Sequence, residues 1–172
     1  MTIDVPSLVL AAGGELVGKI RLQKVVYLLD QTGMESGFSY EYHHYGPFSE
    51  DLAEQVEDDV IFGHLEAVQR RRQSDGVPYV VYRAQAAGEG EMLGAHLAAE
   101  RVRGALAEMQ RYSATVLELA ATIHWLAVTE GLSDWREELV RRKGAKTQNG
   151  RDLQALDLLS ALGLPPAVGV AA

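Results

Sequence analysis

Five histidines, His43, His44, His64, His96 and His124, are the residues of this 172-residue chain whose chemistry could exceed packing. His43 and His44 are adjacent, so on a strand they point to opposite faces and cannot easily share an ion. The other three are scattered, and the spacing predicts no metal site and no cofactor. Glu41 with His43 or His44 could serve as an acid and base pair, yet nothing nearby supplies a nucleophile or an oxyanion donor. The sequence has no G-x-S-x-G elbow, no H-E-x-x-H, no Walker A sequence and no G-x-G-x-x-G. With no cysteine, disulfide frameworks, thiolate zinc sites, iron–sulfur clusters and cysteine nucleophiles are excluded. The residues therefore predict a non-enzymatic protein with no catalytic group.

Charge is the stronger signal. Lys plus Arg number 16 against 24 Asp plus Glu, a net charge of −8, which repels a phosphate backbone at long range. Residues 1–85 hold 7 basic and 13 acidic side chains, and the remainder 9 and 11. Glu50, Asp51, Glu54, Glu57, Asp58 and Asp59 fall between Ser49 and Phe62 with no Lys or Arg among them. Against this acidic run stand Arg70, Arg71, Arg72 and Arg83, and a second cluster of Lys19, Arg21 and Lys24. Arg21 and Lys24, three apart, also suit an ordinary exposed helix face.

These groups must be positioned by a fold that is mainly α with a small β-hairpin. A short helix over 4–12 is stopped by Gly13 and Gly14, a pair costing about 2 kcal/mol inside a helix. A second helix over 19–31 lines one face with Ile20, Val25, Leu28 and Leu29. Phe38, Tyr40 and Tyr42 alternate with polar residues, predicting a strand over 38–45 that Gly46 and Pro47 break. Ser49 is an N-cap for a third helix closed at Gly63. Strands over 65–72 and 79–83 follow, joined by a turn over 73–78. This is the order of a winged helix-turn-helix, in which the third helix normally enters the major groove. Six acids there make that use unfavourable.

Beyond a seam at 85–90 the sequence predicts a helical extension over 86–166 packing on a 1–85 core, with a flexible tail over 167–172. Its helices are expected over 91–111, after Ser113 with an apolar stripe from Val116 to Ala127, after Ser133, and from Asn149 to Leu162. No leader segment and no membrane span are expected, since charges interrupt the first thirty residues and no run reaches about 18 apolar residues. A cytoplasmic location is expected.

Two segments, Leu22-Gln23-Lys24-Val25-Val26-Tyr27 and Tyr45-Gly46-Pro47-Phe48-Ser49, lie about twenty residues apart. Their pairing resembles the Panacea domain, the SocA-like antitoxin family, and within it the YwgA-like branch. Lys143-Gly144-Ala145-Lys146 and Leu162-Gly163-Leu164 are similar to the ends of family members. Leu22, Gln23, Lys24, Tyr27, Tyr45, Gly46, Pro47 and Phe48 carry the family motif. In physical terms Leu22, Val26 and Leu29 should anchor the second helix, Gln23 and Tyr27 should share a neighbouring face, and Tyr45 and Phe48 should pack under the Gly-Pro turn.

The resemblance implies a small protein of prophage and toxin–antitoxin settings that binds and neutralises a cognate toxin, in some members by delivering it to a protease. The expected function is thus a protein-binding module whose acidic third helix, through Glu50, Asp51, Glu54, Glu57 and Asp58, contacts a basic partner. The alternative is a transcriptional regulator docking on DNA through Lys19, Arg21, Lys24, Arg70, Arg71, Arg72 and Arg83. The C-terminal helices could complete a monomer core or pair two chains, with a homodimer slightly favoured.

Overall fold

The structure is a computed structural model that describes residues 2–85 and 97–167. The seam at 86–90, the first part of the helix expected over 91–111, His96, and the tail beyond 167 lie outside the described residues.

The first helix, α1 (Val5–Ala11), starts at Asp4, whose carboxylate accepts the Ser7 N–H. Strand β1 (Glu15–Val17) then leads through Gly18 into α2 (Lys19–Gln31). β1 was not expected: the glycines before it and the helix after it leave only three residues with little strand pattern. Its partner is distant in sequence, and a local pattern cannot reveal it. Gly18 donates its N–H to the Val80 carbonyl at 2.8 Å, tying the joint to the sheet.

The strand expected over 38–45 is shorter, β2 (Glu41–His43), and Gly46 and Pro47 do not simply break it. They open a return strand, β3 (Gly46–Phe48), paired antiparallel with Glu41 opposite Phe48 and His43 opposite Gly46. Residues 36–40 are held elsewhere. Asp30 accepts from the Ser36 N–H at 2.7 Å, from the Ser36 hydroxyl and from the Tyr40 hydroxyl at 2.8 Å. Burial raises the Asp30 carboxyl from its ordinary range while these donors oppose the shift.

Helix α3 (Glu50–Ile61) is capped by Ser49, whose hydroxyl accepts the Leu52 N–H. Strands β4 (Glu66–Arg71) and β5 (Pro78–Arg83) follow, and β1 completes a three-stranded antiparallel sheet in the order β1-β5-β4. Pro78 begins β5 opposite Arg71, where the ladder does not need its missing N–H. Leu16, Val80 and Tyr82 face the core, whereas Val17, Arg70 and Tyr79 occupy the other face.

The remaining helices are α4 (Ala99–Met109), α5 (Ala114–His124), α6 (Trp135–Lys143) and α7 (Arg151–Ala161). Ser113 caps α5 as expected, accepting the Val116 N–H. Ser133 does not cap α6: the cap position is Asp134, with no side-chain bond to the helix. A π-helical turn (Trp125–Thr129) extends α5, and a 3-10 turn (Gly144–Thr147) follows α6. One cluster of buried apolar side chains runs from Ile3 to Leu164, with Tyr27, Leu28 and Leu29 of α2 and Leu117, Leu119 and Ala120 of α5 fully enclosed. Among the described residues no helix is long and apolar enough to cross a membrane.

The tightest joint in this core is where α5 meets β3. Gly46 has φ +87°, and a Cβ there would stand 2.6 Å from Thr122 Oγ1. Gly46→Ala should therefore cost roughly 2–4 kcal/mol, combining left-handed strain with a clash. Urea denaturation checks this. Adding Thr122→Ala should recover the steric part and leave the backbone part.

Candidate functional site

Three side chains bond the backbone of residues 44–49, and two of them are consecutive residues of α2. Gln23 is buried, and its amide forms a two-way pair with one residue: Nε2 donates to the Ser49 carbonyl at 2.8 Å, and the Ser49 N–H donates to Oε1 at 2.9 Å. Lys24, 1% exposed, donates from Nζ to the Pro47 carbonyl. From the other side Lys143 donates to the His44 carbonyl at 3.1 Å. The two motif segments occur together because the side chains of the first satisfy the backbone of the second.

Behind this hairpin is a buried ionic cluster. Glu118 of α5 is 2% exposed and accepts from Lys143 Nζ at 2.8 Å and from Lys146 Nζ at 3.0 and 3.1 Å. Burial pushes the Lys24 ammonium down to about 8, the Glu118 charge opposes the shift, and Lys143 and Lys146 add to it. Glu118 was not singled out from sequence. The available signal was a lone carboxylate inside the Val116 to Ala120 apolar stripe, where a charged residue is retained only with partners.

Tyr27 is also buried, and its hydroxyl lies 2.8 Å from His124 Nδ1. Burial raises the phenol and lowers the imidazole to about 4, so both are neutral near pH 7 and share one hydrogen bond whose direction is set by the His124 tautomer.

Several expected placements are corrected. Arg21 and Lys24 do not form an exposed helix face: Lys24 is enclosed, and Arg21 donates to the Tyr112 carbonyl at 2.8 Å and the Met109 carbonyl at 3.5 Å. Tyr45 does not pack under the turn. It is 45% exposed at the hairpin tip, with Lys146 Nζ 4.8 Å from its ring centroid, whereas Phe48 is half-buried with the His43 ring stacked on it at 4.9 Å. The His44 ring meets Tyr45 edge-on at 4.8 Å. Among the described residues no three His, Cys, Asp or Glu side chains gather to hold a metal ion. His64 pairs with Asp59 at 3.3 Å.

The acidic helix divides in two. Asp59 turns inward and is buried, while Glu50, Asp51, Glu54, Glu57 and Asp58 are exposed. Glu50, Glu54, Glu57 and Asp58, at i, i+4, i+7 and i+8, make one stripe with Asp51 at its edge, and it continues into Ile61 and Phe62, 74% and 71% exposed. On the wing, Arg72 pairs with Asp75 at 2.8 Å, Arg83 with Glu15 at 2.6 Å, and Arg71 donates to the Gly76 carbonyl at 3.1 Å. Lys19 and Arg70 are exposed and have no partner among the described residues.

Gln23→Ala should destabilise the protein by roughly 1–3 kcal/mol in urea denaturation, since it leaves the buried Ser49 N–H unpaired, while the Ser49 carbonyl keeps the Ala53 N–H at 3.2 Å. His124 gives a pH signature. Its folded pKa lies below the unfolded value, so the unfolded state binds the extra proton and stability falls as pH drops from about 6.5 towards 4, by about 3 kcal/mol in full. His124→Asn, which keeps an acceptor for Tyr27 without titrating, should flatten most of the decline between about pH 6.5 and 5. Unfolding free energies measured across that range check it.

No family model matches the chain. It is 29% identical over 126 residues to the uncharacterized protein YwgA of Bacillus subtilis strain 168, a match covering 73% of each chain. It is 27% identical over 127 residues to a DNA ADP-ribosyl glycohydrolase of Thermus aquaticus, covering 71% of this chain and 34% of that one. The chain thus spans about a third of the glycohydrolase and is similar to YwgA over most of both sequences.

Proposed function

We propose that this chain is a non-enzymatic protein-binding module with a winged-helix-type core, which engages a basic protein partner in the manner of a Panacea-group antitoxin or proteolytic adaptor. The observation carrying the reading is the exposed stripe of α3, five carboxylates running into two exposed large apolar side chains, Ile61 and Phe62. Carboxylates steer a cationic partner over distance, and a short apolar anchor beside them supplies short-range affinity. The order of helices and strands together with the β1-β5-β4 sheet supports the winged-helix part of the reading.

The activity in the glycohydrolase's name belongs to a protein of which only about a third is matched. Of the acid and base pairings suggested by sequence, Glu41 with His43 or His44, Glu41 and His43 are 3.8 Å apart on an exposed hairpin with His43 stacked on Phe48, and the His44 ring meets Tyr45. Docking on duplex DNA through the wing is the weaker reading. Of its seven cations, Lys24 is buried, Arg21 is spent on carbonyls, and Arg72 and Arg83 are held by carboxylates.

The test is binding to the purified product of the adjacent gene, with rescue from that product's toxicity as the cellular readout. Ile61→Ala with Phe62→Ala should weaken the complex by about 100-fold, mainly through faster dissociation. Glu54→Lys with Glu57→Lys should slow association and reduce its salt dependence. Both surface variants should keep the parent unfolding midpoint. No complex and no rescue would remove the reading.

A further inference from the structure

A second surface lies on the face of the sheet turned away from the core. The outer face of the wing and the first turn of α2 enclose an open cavity of about 920 Å³, the size of a small-molecule site. Its apolar floor includes Val17, Ile20 and Val81. Val81 is 3% exposed yet stands outside the main core cluster, so the floor has its own local packing. Aromatic rings from Phe48 and Tyr79 also line it.

Its charge opposes that of the whole molecule. Lys19, Arg21, Lys24, Arg70 and Arg72 line the cavity against one carboxylate, Glu15, in a chain of net charge −8. Arg21 and Lys24 are held on backbone carbonyls and Arg72 by Asp75, which leaves Lys19 and Arg70 to face a ligand. Glu15 is already paired with Arg83. Lys19 and Arg70 have no partner among the described residues and line different sides of the cavity, one at the start of α2 and one on β4. Arg70 is directly opposite Tyr79 in the β4–β5 register, so an aromatic ring and an unpaired guanidinium project side by side from one sheet face. Arg71, one residue on, points to the other face and does not line the cavity.

We propose that this cavity binds a nucleoside phosphate: Lys19 and Arg70 take the phosphate oxygens, and the base lies against Tyr79 and the apolar floor. Free phosphate or sulfate would use the cations and leave the floor wet, and an apolar ligand would leave two cations unanswered. A flat ring carrying a phosphate satisfies both sets of groups. The site is separate from the α3 stripe and does not depend on the proposed protein partner.

The experiment is a titration of the full chain with a fluorescent N-methylanthraniloyl-ADP probe at moderate salt, competed with unlabelled ADP, inorganic phosphate and a short single-stranded DNA. Saturable one-site binding is expected, displaced by ADP and weakened by roughly ten-fold or more in Lys19→Ala with Arg70→Ala. Tyr79→Leu, which keeps the apolar volume, should also weaken it, and Arg71→Ala should leave it unchanged. Absence of saturable binding would overturn the proposal. So would equal loss in Arg71→Ala, which would mean diffuse charge attraction, or competition by phosphate as strong as by ADP, which would mean an anion site without base recognition. Far tighter competition by the oligonucleotide would replace the nucleotide with a nucleic-acid strand.

Discussion

The fold depends on a hairpin that cannot satisfy its own backbone. β3 pairs with β2 along one edge only, and the carbonyls of His44 and Pro47 and both backbone groups of Ser49 are met by side chains from α6 and α2. An amide and two ammonium groups take the place of missing strand neighbours. Because the donors come from both halves of the chain, the hairpin can be completed only when those halves are packed together. Glu118 is part of the same arrangement: without a buried carboxylate, Lys143 and Lys146 would bring uncompensated charge to the hairpin.

Much of the fold could be read from local chemistry. The ends of α2, the Ser49 and Ser113 caps and the paired wing strands follow from side-chain types at particular spacings. Long-range partners were hidden. β1 is a strand because β5 lies beside it, and Gly46 to Phe48 form a strand because β2 turns back on them. Lys24 reads as a surface residue by type, and only the Pro47 carbonyl and the Glu118 charge explain its burial. The two segments, 22–27 and 45–49, were therefore visible as letters before their meaning was visible as hydrogen bonds.

The same limit applies to the surfaces. The acidic run could be counted, but its division into five exposed carboxylates and an inward Asp59 required the helix phase. The extension of the stripe into Ile61 and Phe62 likewise depends on where α3 ends. The seven cations grouped by sequence have different tasks, structural for Arg21 and Lys24, paired for Arg72 and Arg83, bonded to the turn carbonyl of Gly76 for Arg71, and open among the described residues for Lys19 and Arg70. Net charge therefore described neither surface: a strongly acidic protein presents one acidic helix and one cationic hollow.

Gly18 gives that hollow a mechanical character. One residue joins β1 to α2, and its N–H is bonded to the Val80 carbonyl on the neighbouring strand. The α2 wall is thus tied at its N-terminus to β5, and the opposite wall, β4, is paired with β5 from Glu66 to Arg71, so both walls are held to one strand. The opening has a fixed gauge. A guest would meet a finished seat and would lose little free energy to reshaping it, so discrimination among guests would rest on size and charge more than on closure.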